Sequence, residues 1–283
     1  AFGLAGASVA GLLRLPWLEI ATAGVIGLLV GVLDLFAQRR PRLKEAGEAI
    51  AAAMAATVTV AVAAFVAPLN LNTVIIASLI VLMPGMALTN AFSEITSQHL
   101  VSGTARISGA MSTLLKLTVG VMIALTLAQL LGVEPQVRAS RPQPDWVEWL
   151  AMVSAAYAFA VLFRADRRDY LLVMLAAMTG YSVARVAGEQ WGSVVGVFMS
   201  ALVTTVAGNG YARWFNRPGA VIRVPAIIML VPGSTSMRSL LSSIQQQDMQ
   251  AGQDAAIAVM NILLALIPGL LVGNLPLPAR RNL

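Results

Sequence analysis

The 283-residue sequence has no cysteine, one histidine (His99), 6% aromatic residues and 11% charged residues. Without cysteine there is no disulfide, no thiolate metal site and no cysteine nucleophile, and one histidine leaves no multi-histidine zinc or iron centre. No Walker, GxGxxG or GxSxG pattern occurs, so neither ATP coupling nor an α/β-hydrolase site can be argued, and no cofactor is expected. Soluble domains carry charge on about a quarter of their residues. This chain lacks the polar surface such a domain needs.

Apolar residues are abundant: 58% of the chain is hydrophobic and the mean hydropathy is +0.79. The expected class is an all-α integral membrane protein. The net charge of +6 comes from 19 Lys and Arg set in short clusters between apolar runs. That arrangement suits membrane topology, so the expected macroscopic partner is the lipid bilayer and not nucleic acid.

Seven runs approach the roughly 20 apolar residues of a spanning helix: Trp17 to Phe36, Ala49 to Pro68, Gly103 to Gly132, Trp146 to Phe163, Tyr170 to Ala187, Trp191 to Gly208 and Asp254 to Gly273. Ala1 to Leu13 is a further apolar stretch without Met or a basic leader, like a helix begun partway, so chain is expected before Ala1. Thr73 to Met83 and Val221 to Val231 are too short to span alone, and each is followed by Pro-Gly. The expectation is about ten membrane segments. Val133 to Asp145, with Pro135, Arg138, Arg141, Pro142 and Pro144, divides them into a first module over 1–132 and a second over 146–283.

With a cytoplasmic N-terminus, Arg39, Arg40, Arg42, Lys44, Arg164, Arg167, Arg168, Arg213, Arg217, Arg223, Arg280 and Arg281 fall inside. Arg14, Arg138, Arg141, Arg185 and Arg238 fall outside. The positive-inside rule therefore favours N-in, C-in and an even number of spans.

Leu82-Met83-Pro84-Gly85 aligns with Leu230-Val231-Pro232-Gly233 at an offset of 148, and Gly103 and Gly120 align with Gly252 and Gly269 at 149. Each half reads as a short apolar half-helix, a Pro-Gly break, a polar stretch, a glycine and a long helix. Five segments separate equivalent positions, and an odd number places the halves in opposite directions. Two inverted five-segment repeats with matched interruptions are a signature of secondary transporters.

The run PGMALTNAFSEITSQHLVSGTAR (Pro84 to Arg106), LVPGSTSMRSLL in the second half, Gly252 and Gly273-Asn274 together resemble the threonine/serine exporter family over nearly the whole chain. The resemblance implies two five-segment modules, a small-molecule substrate such as threonine or serine, and the cytoplasmic (inner) membrane of a bacterium. Members usually begin with a hydrophilic region, which is absent here. Where the family often has Asp after the first Pro-Gly, this chain has Glu94. Two-subunit relatives are linked to dicarboxylate export, so membership does not fix the substrate.

Pro84-Gly85 and Pro232-Gly233 each leave a helix N-terminus, with Ser234 and Thr235 as caps and Thr89 and Asn90 one turn in, which suits a substrate carboxylate. A simple proline kink is the alternative. Glu94 would take the substrate ammonium or carry a proton, or else is solvated at the cytoplasmic face. Arg106 is expected to face Asp254 across the pseudo-axis, unless each merely ends its helix, and Asp254 is a second candidate proton carrier. Arg238 would bind an anionic group or sit in an outer loop. Lys116 is read as snorkelling, Asp34 as a partner of Arg39 and Arg40, and His99 as a polar loop residue. Asn261 reads as interhelical glue, and Gly192 to Gly196 as a weak GxxxG.

The leading function is proton-driven export of a small polar amino acid. A dicarboxylate exporter using Arg106 and Arg238 competes with it. An intramembrane hydrolase using Glu94 and Asp254 is a third reading, and it leaves the symmetric breaks unexplained. The sequence is compatible with a homo-oligomer.

Overall fold

Inside a bilayer every backbone polar group must be satisfied within the protein, which admits helices and closed barrels. The computed structural model describes residues 1–136, 142–215, 217–230 and 249–276, and all regular elements among them are helical. They are α1 (Phe2–Leu12), α2 (Trp17–Ala37), α3 (Pro41–Phe65), α4 (Leu71–Ser78), α5 (Gly85–Thr96), α6 (Leu100–Leu130), α7 (Asp145–Leu162), α8 (Tyr170–Trp191), α9 (Ser193–Phe215), α10 (Ala220–Leu230) and α11 (Met249–Gly273). Short 3-10 turns at Ile80–Leu82 and Arg167–Asp169 precede α5 and α8.

Among the described residues six helices are long and apolar enough to cross a membrane: α2, α3, α6, α7, α8 and α9. The bent pair Leu71–Ser78 and Ile80–Ile95 makes a seventh if it is one span. The expected count of about ten included α1 and α10, which have 11 residues each. It also included α11, of which Val259–Gly273 is the described apolar stretch.

Two boundaries differ instructively from the sequence reading. α3 begins at Pro41, eight residues before the apolar run, because proline is suited to the first helical turn and Lys44, Glu45 and Glu48 are good helix formers. α8 continues to Trp191 and stops at Gly192, where φ is +93°. Gly192 is thus the junction itself, and Gly196 lies in the first turn of α9, where a methyl would press on the Ala184 carbonyl of α8; the two glycines do not share one helix.

The same chain reversal ends four helices. Arg14, Gln98, Gly132 and Arg164 adopt positive φ, and each pairs a six-to-one with a five-to-two hydrogen bond. After α1, Leu15 N–H donates to the Ala10 carbonyl and Arg14 N–H to that of Gly11. After α7, Ala165 and Arg164 donate to Ala160 and Val161. This Schellman geometry satisfies orphan carbonyls that lipid cannot.

By contacts the chain forms two compact units, and their boundaries cross the modules. Among the described residues, one unit holds 1–84, 109–136, 142–158 and 249–255. In it α1 and α2 approach through glycine: a methyl on Gly6 would stand 2.7 Å from the Ala23 carbonyl oxygen, and one on Gly27 would stand 2.8 Å from that of Phe2. The Ser8 hydroxyl donates to Ser154 Oγ at 2.9 Å, joining α1 to α7. Gly120 of α6 meets the backbone of Ala49 in α3. The first-turn residue Glu19 of α2 is 3% exposed and accepts the Asn70 N–H at 3.2 Å, placing a carboxylate at the positive end of α4.

The other unit holds 85–108 and the described parts of 159–232 and 256–283. Val197, Ala201, Ile227, Ala265 and Leu266 form its core, with Met86 packed against them. Gly180 lets α8 meet Ala226 of α10, and a methyl on Gly269 would lie 2.6 Å from the Phe198 carbonyl oxygen. The Ser200 hydroxyl reaches the Gly180 carbonyl at 2.6 Å, and Asn209 Nδ2 donates to Asn274 Oδ1 at 2.8 Å. Lipid is as apolar as leucine, so close backbone approach and interhelical hydrogen bonds replace hydrophobic drive.

Candidate functional site

Pro84 has no N–H to donate and disfavours helical geometry at the residue before it. Accordingly α4 ends at Ser78, a 3-10 turn covers Ile80–Leu82, and Met83 is extended before α5 starts at Gly85. The chain bends by 57° between Leu71–Ser78 and Ile80–Ile95. Met86 anchors the first turn of α5 in its unit's core.

One turn along α5, Thr89 is 2% exposed, and its hydroxyl has no hydrogen-bond partner among the described residues. Leaving such a group unsatisfied costs about 1–3 kcal/mol. Mid-helix threonines elsewhere bond back one turn: Thr59 to Ala55, Thr118 to Leu114 and Thr205 to Ala201. Thr89 is therefore distinguished by an open hydroxyl near a freed helix N-terminus. Asn90, its neighbour in sequence, is exposed, so the helix brings only one of the two expected polar side chains inward.

Glu94 lies in the last turn of α5. A Schellman turn through Gln98 reverses the chain, and Gly103 allows α6 to approach Ile95 and the Ala91 carbonyl. On α6, Ser102 and Arg106 lie one turn apart and share a face. Arg106 Nε stands 2.6 Å from Glu94 Oε1, and the Ser102 hydroxyl donates to Glu94 Oε2. Both carboxylate oxygens are thus engaged. This pair is formed within one hairpin and needs no long-range closure, and the expected pairing of Arg106 with Asp254 falls on a side chain that is not among the described ones. Asp254 falls in the first turns of α11, and its side chain lies outside the described residues. Pro232, Gly233, Ser234, Thr235 and Arg238 lie outside them altogether.

Other readings change in the same way. Lys116 does not simply snorkel: its Nζ is 3.4 Å from Glu48 Oε2. Asp34 accepts from the Gln38 side chain at 2.9 Å, a bond within one helix and its end that replaces the expected partnership with Arg39 and Arg40. Asn261 is exposed, and the interhelical role expected of it falls to Asn209 and Asn274. His99 is an exposed turn residue, as expected. Arg14 pairs with Asp145 at 2.8 Å. Arg217, beyond α9, is held by the Tyr211 hydroxyl and by Asp169 at 2.9 Å, both of which favour its cationic form and raise its pKa above the ordinary value.

Sequence reasoning missed four carboxylates and amides of note: Glu48, Glu19, Glu148 and Asn209. Glu19 and Glu148 are 3% and 5% exposed. Glu19 and Glu148 follow a tryptophan by two residues at a helix start, a pattern that resembles an interfacial anchor and hides their burial.

Comparison with known proteins bears on both halves of the chain. A threonine/serine exporter model matches residues 1–128, and a second model, Threonine/Serine exporter, ThrE, matches 148–275. Among curated proteins the chain is similar to Pheromone-regulated membrane protein 10 of Pichia sorbitophila, 25% identical over 248 residues, covering 82% of this chain and 24% of the relative. It is similar also to the proteins of that name from Candida glabrata, 24% identical over 190 residues, and Zygosaccharomyces rouxii, 23% identical over 236. These alignments cover 65% and 81% of this chain respectively and 24% of each relative. The chain thus spans about a quarter of the length of these curated relatives. No solved structure matches it. With family models matched on both halves of an all-helical chain rich in candidate membrane spans, the protein belongs to the threonine/serine exporter family.

Proposed function

We propose that this protein is a secondary transporter that exports threonine, serine or a related small polar amino acid, driven by proton entry. The reading places ten segments in two inverted five-segment repeats, N-in and C-in, in a cytoplasmic membrane. Family membership supports the substrate class. The recurrent order of elements supports the repeat: α1, α2, α3, α4 and α6 have counterparts near 148 residues later in α7, α8, α9, α10 and α11. The paired Schellman turns at Arg14 and Arg164 fit the same scheme.

The observation that carries the site is Thr89. A threonine or serine substrate has a hydroxyl and a carboxylate, and the freed N-terminus of α5 with an open buried hydroxyl offers donors to either. Pro84 and Gly85 make that end, and Pro232, Gly233, Ser234 and Thr235 are assigned the equivalent role in the second half. Glu94 supplies the negative pole for the ammonium, with Arg106 releasing it when substrate arrives. Proton coupling is assigned to a carboxylate, with Glu94 and Asp254 as the candidates from sequence.

In the dicarboxylate reading Arg106 and Arg238 are anion sites. The Glu94–Arg106 pair weighs against it, because that guanidinium already has its anion. Binding of threonine, serine and succinate to the wild type and to Ser234→Ala, Glu94→Gln, Arg106→Gln and Arg238→Gln tests the choice. The amino-acid reading expects threonine to bind and the Glu94 and Ser234 changes to weaken it. Succinate binding lost only in the arginine variants would establish the dicarboxylate reading instead.

A further inference from the structure

Between α3 and α6, inside two candidate membrane spans, stands a charged cluster that the substrate site does not use. Lys116 Nζ is 3.4 Å from Glu48 Oε2, and the Thr113 hydroxyl donates to Glu48 Oε1 at 3.3 Å. Thr113 and Lys116 are three residues apart on α6 and present one face. Both contacts are long, and Oε2 is buried without a geometrically formed hydrogen bond. The side chains of Glu48 and Lys116 are 32% and 42% exposed, so the pair is incompletely enclosed.

Stability does not account for this pair. An ion pair taken from water gains little over apolar residues of similar volume, and ionisable groups within a membrane are costly. The equivalent positions of the other half carry no such pair: Gly196 stands 148 residues after Glu48, and Ala265 stands 149 residues after Lys116. Glu94 is a poorer proton acceptor by geometry, because Arg106 and Ser102 hold both its oxygens closely.

Resting on the reading of a gradient-driven exporter, we propose that Glu48 is the proton-carrying site and that Lys116 is its internal counter-cation. A proton from the aqueous phase bonds to Glu48 Oε2, the attraction to Lys116 is lost, and the pair's charge changes from zero to +1. Release of that proton to the opposite aqueous phase restores the carboxylate and the pair. Among the described residues the charged groups near Glu48 are few. Its own helix carries Arg42, Lys44 and Glu45 before it, α6 adds Lys116, and α4 has none. α2 carries Asp34 in its last turn, followed by Arg39 and Arg40, near where Gly47 meets Ala37; Glu19 lies at its opposite end.

The test uses the whole chain in vesicles, reading radiolabelled threonine exchange and, with a pH dye, the protons that accompany threonine. The proposal expects protons moved per threonine to fall at least tenfold in Glu48→Gln and in the charge-neutral double variant Glu48→Gln/Lys116→Met. The double variant leaves no cation unpaired and guards against misfolding of the single one. A wild-type ratio in the double variant overturns the proposal, as does threonine movement in the wild type that follows sodium and ignores the pH gradient. If the wild type exchanges no threonine at all, the exporter reading itself fails.

Discussion

Thr89 shows what a single side chain discloses when every bond around it is counted. Its hydroxyl lacks a partner among the described residues, so Thr89→Val removes no hydrogen bond among them. The account expects that variant to keep or raise its Tm, since an unsatisfied buried group is removed. Threonine affinity should fall by about tenfold, the loss of one hydrogen bond of roughly 1.4 kcal/mol. Thermal unfolding with and without threonine measures both. A lower Tm with unchanged affinity would make Thr89 structural. The sequence marked Thr89 by its distance from Pro84, but it marked Asn90 equally, and only helix rotation separates a 2% exposed residue from an exposed one. Arg106 shows the opposite limit. Its partner is Glu94, twelve residues back, and no periodicity reveals that a hairpin closes between them.

Among elements, the break at Pro84 was legible because proline acts locally, through its missing N–H and its clash with the preceding residue. The ends of α3 and α8 were not, because hydropathy reports lipid contact whereas helices continue past it. Interhelical polar contacts were legible in kind but not in place. A buried amide in lipid needs a partner, yet the contact is Asn209 with Asn274 and not Asn261, since partners are chosen by packing across 65 residues of sequence. Asn209→Ala and Asn274→Ala should each destabilise the protein by roughly 0.5–1 kcal/mol, and the double variant by less than the sum. Thermal unfolding in detergent would show it, and strict additivity would mean that the bond contributes nothing. At Gly27, valine would press on the Phe2 carbonyl and should cost about 1–3 kcal/mol in the same assay.

For the whole molecule, composition alone indicated a helical membrane protein, because a chain with 11% charge cannot cover a water-facing surface. Unit membership could not be read in that way. Residues 85–108 cluster with the described residues of 159–230, although chain order places them in the first half. Orientation remains to be measured, and the absence of cysteine makes it simple: single cysteines introduced at Arg39 and Asp166 should react with a membrane-impermeant maleimide from the cytoplasmic side, and one at Glu134 from the other. Reaction of all three from one side would contradict the inverted-repeat reading. The most direct test of the central claim is efflux from vesicles that contain the purified protein and are preloaded with labelled threonine. The account predicts efflux that accelerates when an inward proton gradient is imposed, collapses with a protonophore, and is slowed by Thr89→Val; efflux indistinguishable from protein-free vesicles under every gradient would contradict it.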